Sequence, residues 1–315
     1  MTRSIRQSGI AAIGECMLEL RSVGMAAEAT QLSLGFGGDT LNTALYLARL
    51  GVSVEYVTAL GDDARSDWLL SEWQQEGIGT DYVVRIPGRR PGLYWITTDQ
   101  SGERSFDYWR GESAARLLFE DEASSQRLSH SLAQCGVVYF SGVTLSIYTP
   151  AARDRLFTLL STLRGQGVVI GFDGNYRPAG WSSRVEARDA FERACRLADI
   201  VLPTFDDERA LFGDQTPHET LARLSAWGVP ETVLKLGAEG CLIRGGGVDL
   251  RVATEPVTQP VDTTAAGDSF SAGYLAARYR GESVEAAAHM GNRLAGTVIM
   301  HPGAVIPRAA MPHWG

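Results

Sequence analysis

Cysteine is scarce in this chain and carries no pattern. Cys16, Cys135, Cys195 and Cys241 are the four in 315 residues. They stand too far apart for a Cys-x-x-Cys redox pair or a zinc site and read as inert thiols of a reducing compartment. Histidine is as thin: His130, His218, His289, His301 and His313 are dispersed, which argues against a histidine-based metal site or triad. No run of Lys and Arg occurs and the net charge is −8, so nucleic acid is not an expected partner, and an anionic substrate needs local positive charge. No apolar run reaches the roughly 18 residues of a membrane helix. No basic-then-apolar signal pattern opens the chain. The expected location is therefore the cytoplasm, away from membranes. A Gly-x-Gly-x-x-Gly fingerprint is missing after the first strand, where Ile13-Gly-Glu-Cys-Met-Leu18 stands, and there is no Walker-A loop. What remains is ordinary for a globular protein, 44% hydrophobic and 21% charged, and long enough for a large core.

Short β-branched or apolar runs alternate with longer amphipathic segments. This predicts an α/β fold, a three-layer α/β/α sandwich around a parallel sheet, in a single domain over 1–315. Strands are expected at Gly9–Ile13, Val54–Ala59, Val137–Ser141, Val168–Asp173, Ile200–Leu202, Thr232–Lys235 and Cys241–Arg244. Helices are expected at Leu41–Leu50, Asp63–Glu76, Pro150–Arg164, Arg184–Leu197, Asp206–Phe212, Thr216–Trp227, Asp268–Arg280 and Ser283–Met300. Gly51, Gly77, Gly165 and Gly213 follow helical runs, where C-caps favour glycine.

One region breaks the alternation. Tyr82 to Arg110 reads as strand, turn (Pro87–Arg90), strand (Leu93–Thr98), turn (Asp99–Gly102) and strand (Glu103–Trp109), a β-meander without a crossover helix. Together with part of the N-terminal segment, residues 82–110 should project as a small sheet, serving as a lid, a pairing surface or both. Its alternating apolar positions, Val84, Ile86, Leu93, Trp95, Phe106 and Tyr108, are more than one ligand covers. A small sheet with free edges is marginal in water, so a two-fold homodimer through the lids is expected.

The stretch Asp262-Thr-Thr-Ala-Ala-Gly-Asp-Ser-Phe-Ser-Ala-Gly-Tyr274 places small residues in a turn that opens a helix. Such a turn presents unpaired N–H groups and the positive end of the helix dipole to an anion. Asp268 beside it fits two roles: a base that takes a proton from an attacking hydroxyl, or an N-cap. Gly35-Phe-Gly-Gly-Asp-Thr-Leu-Asn-Thr-Ala44 also opens a helix. There Gly37 and Gly38 allow close backbone approach, and Asp39 and Asn42 can bond hydroxyls; the blander alternative is a glycine turn with Asp39 or Thr40 as an N-cap. Asp173-Gly-Asn-Tyr-Arg-Pro178 follows an apolar strand at the end where open α/β sheets bind ligands. Arg177 there, and Arg110 at the end of the meander, suit a carboxylate-bearing sugar better than a neutral one.

The two glycine-containing helix starts resemble the paired signatures of the ribokinase-like PfkB carbohydrate kinases. Nearly the whole chain shares the likeness, from Gly14-Glu-Cys-Met-Leu-Glu-Leu20 through Pro91-Gly-Leu-Tyr94, Tyr108-Trp-Arg110 and Asn175-Tyr-Arg-Pro178 to Gly303-Ala-Val-Ile-Pro-Arg308. These blocks look most like members that phosphorylate the terminal hydroxyl of a 2-keto-3-deoxy sugar acid. The resemblance implies an ATP- and Mg²⁺-dependent kinase in which Ala265, Ala266 and Gly267 supply the anion hole and Asp268 is the base. It implies that Gly37, Gly38, Asp39, Asn42, Tyr94, Tyr108, Arg110 and Arg177 hold the sugar acid. It further implies that Asn175, Thr204, Lys235, Gly237, Gly240, Gly267 and Asn292 line the nucleotide. Three departures stand out: Ala265 where the family usually has Gly, Thr40 where it prefers Gly, Ala or Pro, and Thr204-x-x-Asp207 in place of Asn-x-x-Glu. The last leaves the metal's ligands open, Asp207 acting through water being one option. A neutral-sugar or nucleoside kinase of the same fold, a kinase of the galactonate-type epimer and a non-catalytic sugar or nucleotide sensor are the alternatives.

Overall fold

The computed structural model describes residues 4–26, 29–98 and 104–312. The main sheet has the strand order β13-β12-β11-β10-β9-β8-β1-β4-β5. Its strands are β1 (Ile10–Ile13), β4 (Val54–Leu60), β5 (Val83–Arg85), β8 (Val137–Ser141), β9 (Val169–Asp173), β10 (Ile200–Val201), β11 (Glu231–Lys235), β12 (Cys241–Gly245) and β13 (Val248–Val252). From β5 to β11 every pairing is parallel, and β12 and β13 are added antiparallel at one edge. The chain builds outward from β1 to β4 and β5, then crosses back to β8 on the other side of β1. That reversal between β1 and β8 is the switch point at which open α/β sheets form a crevice.

The helices are α1 (Asp39–Arg49), α2 (Ala64–Gln75), α3 (Glu122–Leu132), α4 (Gly142–Ser146), α5 (Pro150–Gly165), α6 (Arg184–Leu197), α7 (Phe205–Phe212), α8 (Pro217–Ala226), α9 (Ala266–Tyr279) and α10 (Val284–Val298). Successive strand residues point to opposite faces, so each strand feeds two cores. Ile10, Ala12, Val54, Tyr56, Val137 and Tyr139 pack with Leu41, Leu275 and Leu294 of α1, α9 and α10. Ala11, Ile13, Val57, Val138 and Phe140 pack with Leu128, Leu160 and Phe191 of α3, α5 and α6. Both faces are covered, which is why these strands are near-continuous apolar runs.

A second sheet has the order β3-β2-β6-β7, made of β2 (Met17–Ala26), β3 (Ala29–Gly37), β6 (Gly92–Thr98) and β7 (Arg104–Trp109). It differs from the expected meander. Val83–Arg85 pairs in parallel with Thr58–Leu60, so the first of the three meander strands is the edge of the main sheet. Val84 and Ile86 pack on the core there, a larger apolar face than the small sheet offers them. In its place the long β2–β3 hairpin joins β6. The expected turn at Asp99–Gly102 and the strand start at Glu103 lie outside the described residues. Gly51, Gly77 and Gly213 take left-handed φ of 77°, 83° and 91° after their helices, while α5 runs through Gly165 and Gly167 turns instead, at φ 88°.

After α10 the chain returns to α1. Tyr46 Oη donates to the Ala304 carbonyl at 2.6 Å and Arg49 Nη1 to the Ile306 carbonyl at 2.6 Å. Gly303 N–H donates to Asp262 Oδ2 at 2.6 Å.

Candidate active site

At the start of α9 the N-cap residue is Ala265, with φ 60° and ψ 15° and no side-chain cap. Asp268 is therefore not the cap. Its Oδ2 accepts from Asn42 Nδ2 at 2.8 Å, and the Thr43 hydroxyl lies 3.2 Å from its carbonyl, so α1 and α9 meet at this carboxylate. Ala266 N–H closes a turn on the Thr263 carbonyl at 3.2 Å. Among the described residues no acceptor takes the N–H of Gly267 or Asp268, which leaves these two donors for an anion. Burial pushes the Asp268 carboxyl up to about 8. Asp39 and Asp173 push the same way, while the Asn42 hydrogen bond and Lys235 oppose it.

Asp39 likewise does not cap its helix; Gly38 does, without a side-chain bond. Asp39 Oδ2 accepts from Asn175 Nδ2 at 2.7 Å, and Asn175 holds φ 39°, bending the chain after β9 toward α1. A Cβ on Gly38 would lie 2.2 Å from the Glu15 carbonyl oxygen, and one on Gly37 would lie 2.4 Å from the Tyr94 hydroxyl. These two glycines let α1 begin against the strand that leaves β1 and against the small sheet.

On the small sheet, Tyr94 is buried and donates to Glu19 Oε2 at 2.5 Å; burial first, and then Glu19, push its phenol far up. Tyr108 is exposed, with its ring 6.0 Å from that of Tyr94. Arg110 Nη2 donates to Glu15 Oε2, and Glu15 is buried. Arg177, largely open to solvent, lies 3.7 Å from Asp207. Each arginine thus already faces a carboxylate of the protein.

Beside Lys235 a groove of about 830 Å³ is lined by Thr204, Phe205, Lys235, Gly237, Leu242 and Leu250, a size that suits a nucleotide. Thr204 caps α7 without a side-chain bond. Gly237 and Gly240 have φ 60° and 86°, and a Cβ on Gly240 would lie 2.1 Å from the Val252 carbonyl. Asn292 supports the same segment from α10, donating to the Val252 and Ala253 carbonyls at 3.4 and 3.2 Å. Lys235 Nζ is buried against Asp173 Oδ2 at 2.7 Å. Asp207 Oδ2 accepts from Tyr176 N–H at 3.2 Å, and burial is the main cause raising its carboxyl. No group of three or more His, Cys, Asp or Glu side chains among the described residues could hold a metal.

Sequence reasoning missed Glu15, Glu19, Thr43, Tyr139 and Ser271. Ser271 was findable, since it lies three residues after Asp268 on the same helical face. Glu15 and Glu19 sit in a quoted block, but only the register of β2 against β6 shows what they meet.

A sequence profile described as pfkB family carbohydrate kinase matches residues 7–310. A 2-dehydro-3-deoxygluconokinase of Escherichia coli K12 is 45% identical over 310 residues, 96% of this chain and 98% of the relative. The enzyme of the same name from Dickeya dadantii matches equally, at 45% over the same shares. The crystal structure of a PfkB protein from Polaromonas sp. JS666 superposes with a TM-score of 0.82 at 27% identity, covering 96% of this chain and 98% of that one. With end-to-end agreement in profile, sequence and fold, this chain is a kinase belonging to the pfkB family of carbohydrate kinases.

Proposed function

We propose that the chain transfers the γ-phosphoryl group of ATP to the terminal hydroxyl of 2-dehydro-3-deoxygluconate, giving the 6-phosphate. The observation that carries this reading is Asp268: a partly buried carboxylate held by Asn42 beside two free amide donors. A site built for an anion gains nothing in binding from such a carboxylate, whereas a phosphoryl transfer needs one to accept the hydroxyl proton. In this reading Asp268 takes the proton as the sugar oxygen attacks, and the N–H groups of Gly267 and Asp268 bond the charge developing on the transferred group. Asp39, held by Asn175, orients a second sugar hydroxyl. Tyr94 and Tyr108 line the sugar, and Arg177 receives its carboxylate.

The polar mouth of the groove fits Mg²⁺ arriving with the nucleotide, since this ion leans on phosphate oxygens and water and needs no protein cage. Asp207 would hold it through water, and the ion would supply neutralisation of phosphate charge. The small sheet would shield the site from water, and its exposed apolar residues would pair two copies. The four cysteines are free and buried, and no helix of the described residues is long and apolar enough to cross a membrane, which suits a cytoplasmic enzyme.

One observation favours a second reading. The Arg110 charge is already met by Glu15, which would suit a neutral-sugar kinase of this fold. ADP release over a panel of sugars and sugar acids, including both the gluconate- and galactonate-type epimers, separates the two. The sugar acid should give the highest kcat/KM, and a neutral ketose turned over faster would overturn the assignment. Asp268→Asn should lower kcat by on the order of 10²-fold or more, in the range of a lost general base, with nucleotide binding retained.

A further inference from the structure

Lys235 is the only lysine in the chain; every other residue among its 29 Lys and Arg is arginine. It lies at the last position of β11, where its N–H donates to the Pro203 carbonyl at 2.8 Å. Its side chain runs from the nucleotide groove inward to Asp173 at the end of β9. Asp173 Oδ2 gathers three donors: Lys235 Nζ at 2.7 Å, Ser271 Oγ at 2.7 Å and Tyr139 Oη at 3.3 Å. Nζ is also 3.4 Å from Ser271 Oγ, and it lies 3.5 Å from where a Cβ on Gly267 would stand. The Thr43 hydroxyl, 3.4 Å from Tyr139 Oη and 3.2 Å from the Asp268 carbonyl, continues the network to the catalytic turn. The side chains of Lys235, Asp173, Ser271, Tyr139 and Thr43 are all buried.

The arrangement asks for lysine. A guanidinium is a flat fork that pairs best with both oxygens of one carboxylate. Here Asp173 presents a single oxygen already shared with two hydroxyls, and the space beneath Gly267 admits a compact ammonium. The charge count points the same way. Asp39, Asp173 and Asp268 converge on this part of the molecule, and Lys235 is the cation set among them.

We infer that the Lys235–Asp173 ion pair is a positioning element for phosphoryl transfer, holding the floor of the turn beneath Gly267 and keeping one cation against the carboxylates around Asp268. The inference rests on Asp268 being the base. The charged and titratable groups facing Asp268 are Asp39 and Tyr46 from α1, Tyr139 from β8, Asp173 from β9 and Lys235 from β11. Removing the cation therefore disfavours the Asp268 carboxylate, and removing Asp173 favours it.

The test is the pH dependence of kcat/KM of the whole protein with ATP, Mg²⁺ and 2-dehydro-3-deoxygluconate. Lys235→Met should move the acidic limb to higher pH by about one unit, and Asp173→Asn should move it to lower pH. Joining the two should return it toward the wild-type position, and Lys235→Arg should lower kcat without moving the limb upward. Opposite shifts from the two ends of one ion pair are not what general loosening of the fold produces. A folded Lys235→Met protein whose limb is unmoved overturns the inference.

Should the variants not fold, wild-type protein labelled with ¹⁵N at lysine Nζ gives a single side-chain signal. Its shift should change with pH through the same inflection as the acidic limb, and a flat titration overturns the inference equally. An active Asp268→Asn would instead remove the base itself, an outcome distinct from either.

Discussion

Ala265 occupies a left-handed backbone, φ 60° and ψ 15°, that a Cβ disfavours by roughly 1–2 kcal/mol. It is also the position at which the chain departs from the family's usual glycine. Ala265→Gly should relieve the strain, offset in part by about 0.4–1 kcal/mol of extra freedom in the unfolded chain. The expected net gain is up to about 1.6 kcal/mol, read as a small rise in the thermal midpoint with kcat little changed. A fall in the midpoint would show that the alanine methyl makes contacts worth more than the strain. At this scale the sequence is most readable where chemistry is local. The turn, its carboxylate and the glycines before α1 lie within short runs whose residue types have few other uses. The pairings are the opposite case. Lys235 and Asp173 are 62 residues apart and Arg110 and Glu15 are 95 apart, and no spacing rule joins them, because each contact exists only after two strands or two sheets have been brought together.

Helix α1 depends on the absence of a side chain at its first boundary. A Cβ on Gly38 would stand 2.2 Å from the Glu15 carbonyl oxygen and 3.3 Å from Cys16 Cα. Both are backbone atoms that cannot rotate aside. Gly38→Ala must therefore push the start of α1 away from the segment linking β1 to β2, carrying Asp39 and Asn42 with it. A loss of about 1–3 kcal/mol in stability is expected from the overpacking. A drop in kcat/KM on the order of 10-fold or more should accompany it, since misplacing a catalytic group by about 1 Å is that costly. Urea unfolding and steady-state kinetics read the two effects, and unchanged kinetics would mean that α1 tolerates the shift. Elements themselves were legible where both faces are buried. The β-branched runs of β1, β8, β9 and β11 stand out against their polar flanks, and α5 and α6 carry clear apolar spacing. The β2–β3 hairpin was not legible, because one of its faces is open and its apolar residues alternate with polar ones. β5 was misread because three residues beside a turn look the same at the edge of a large sheet as in a small one.

At the scale of the whole molecule, the two cores of the main sheet leave apolar residues of the small sheet uncovered among the described residues. Leu32, Leu34, Phe106, Tyr108 and Trp109 of the small sheet are all exposed. Phe106 and Tyr108 share the face of Tyr94, while Leu32, Leu34 and Trp109 stand on the other face, and exposed apolar side chains on a sheet with two free edges favour pairing. Light scattering at micromolar concentration should give a mass near twice the 34.0 kDa chain. The variant Phe106→Asp with Trp109→Asp should give the single mass. A wild-type monomer with full activity would remove the sheet-to-sheet contact from the account.

The fastening of residues 303–306 onto α1 and Asp262 bears on how the protein comes into being. The residues of the candidate site are brought together from positions spread between Gly37 and Ile306, so a chain emerging from the ribosome carries Gly37 and Gly38 long before the turn at 262–268. Domains tend to fold as units during synthesis, and β1, β4 and β8 can associate early. The turn at 262–268, which we propose receives the phosphoryl group, is however completed among the later residues to be made. On that proposal a half-made chain lacks Asp268 and the turn before it, and the capacity to react arrives together with the contacts that hold the reacting groups in place.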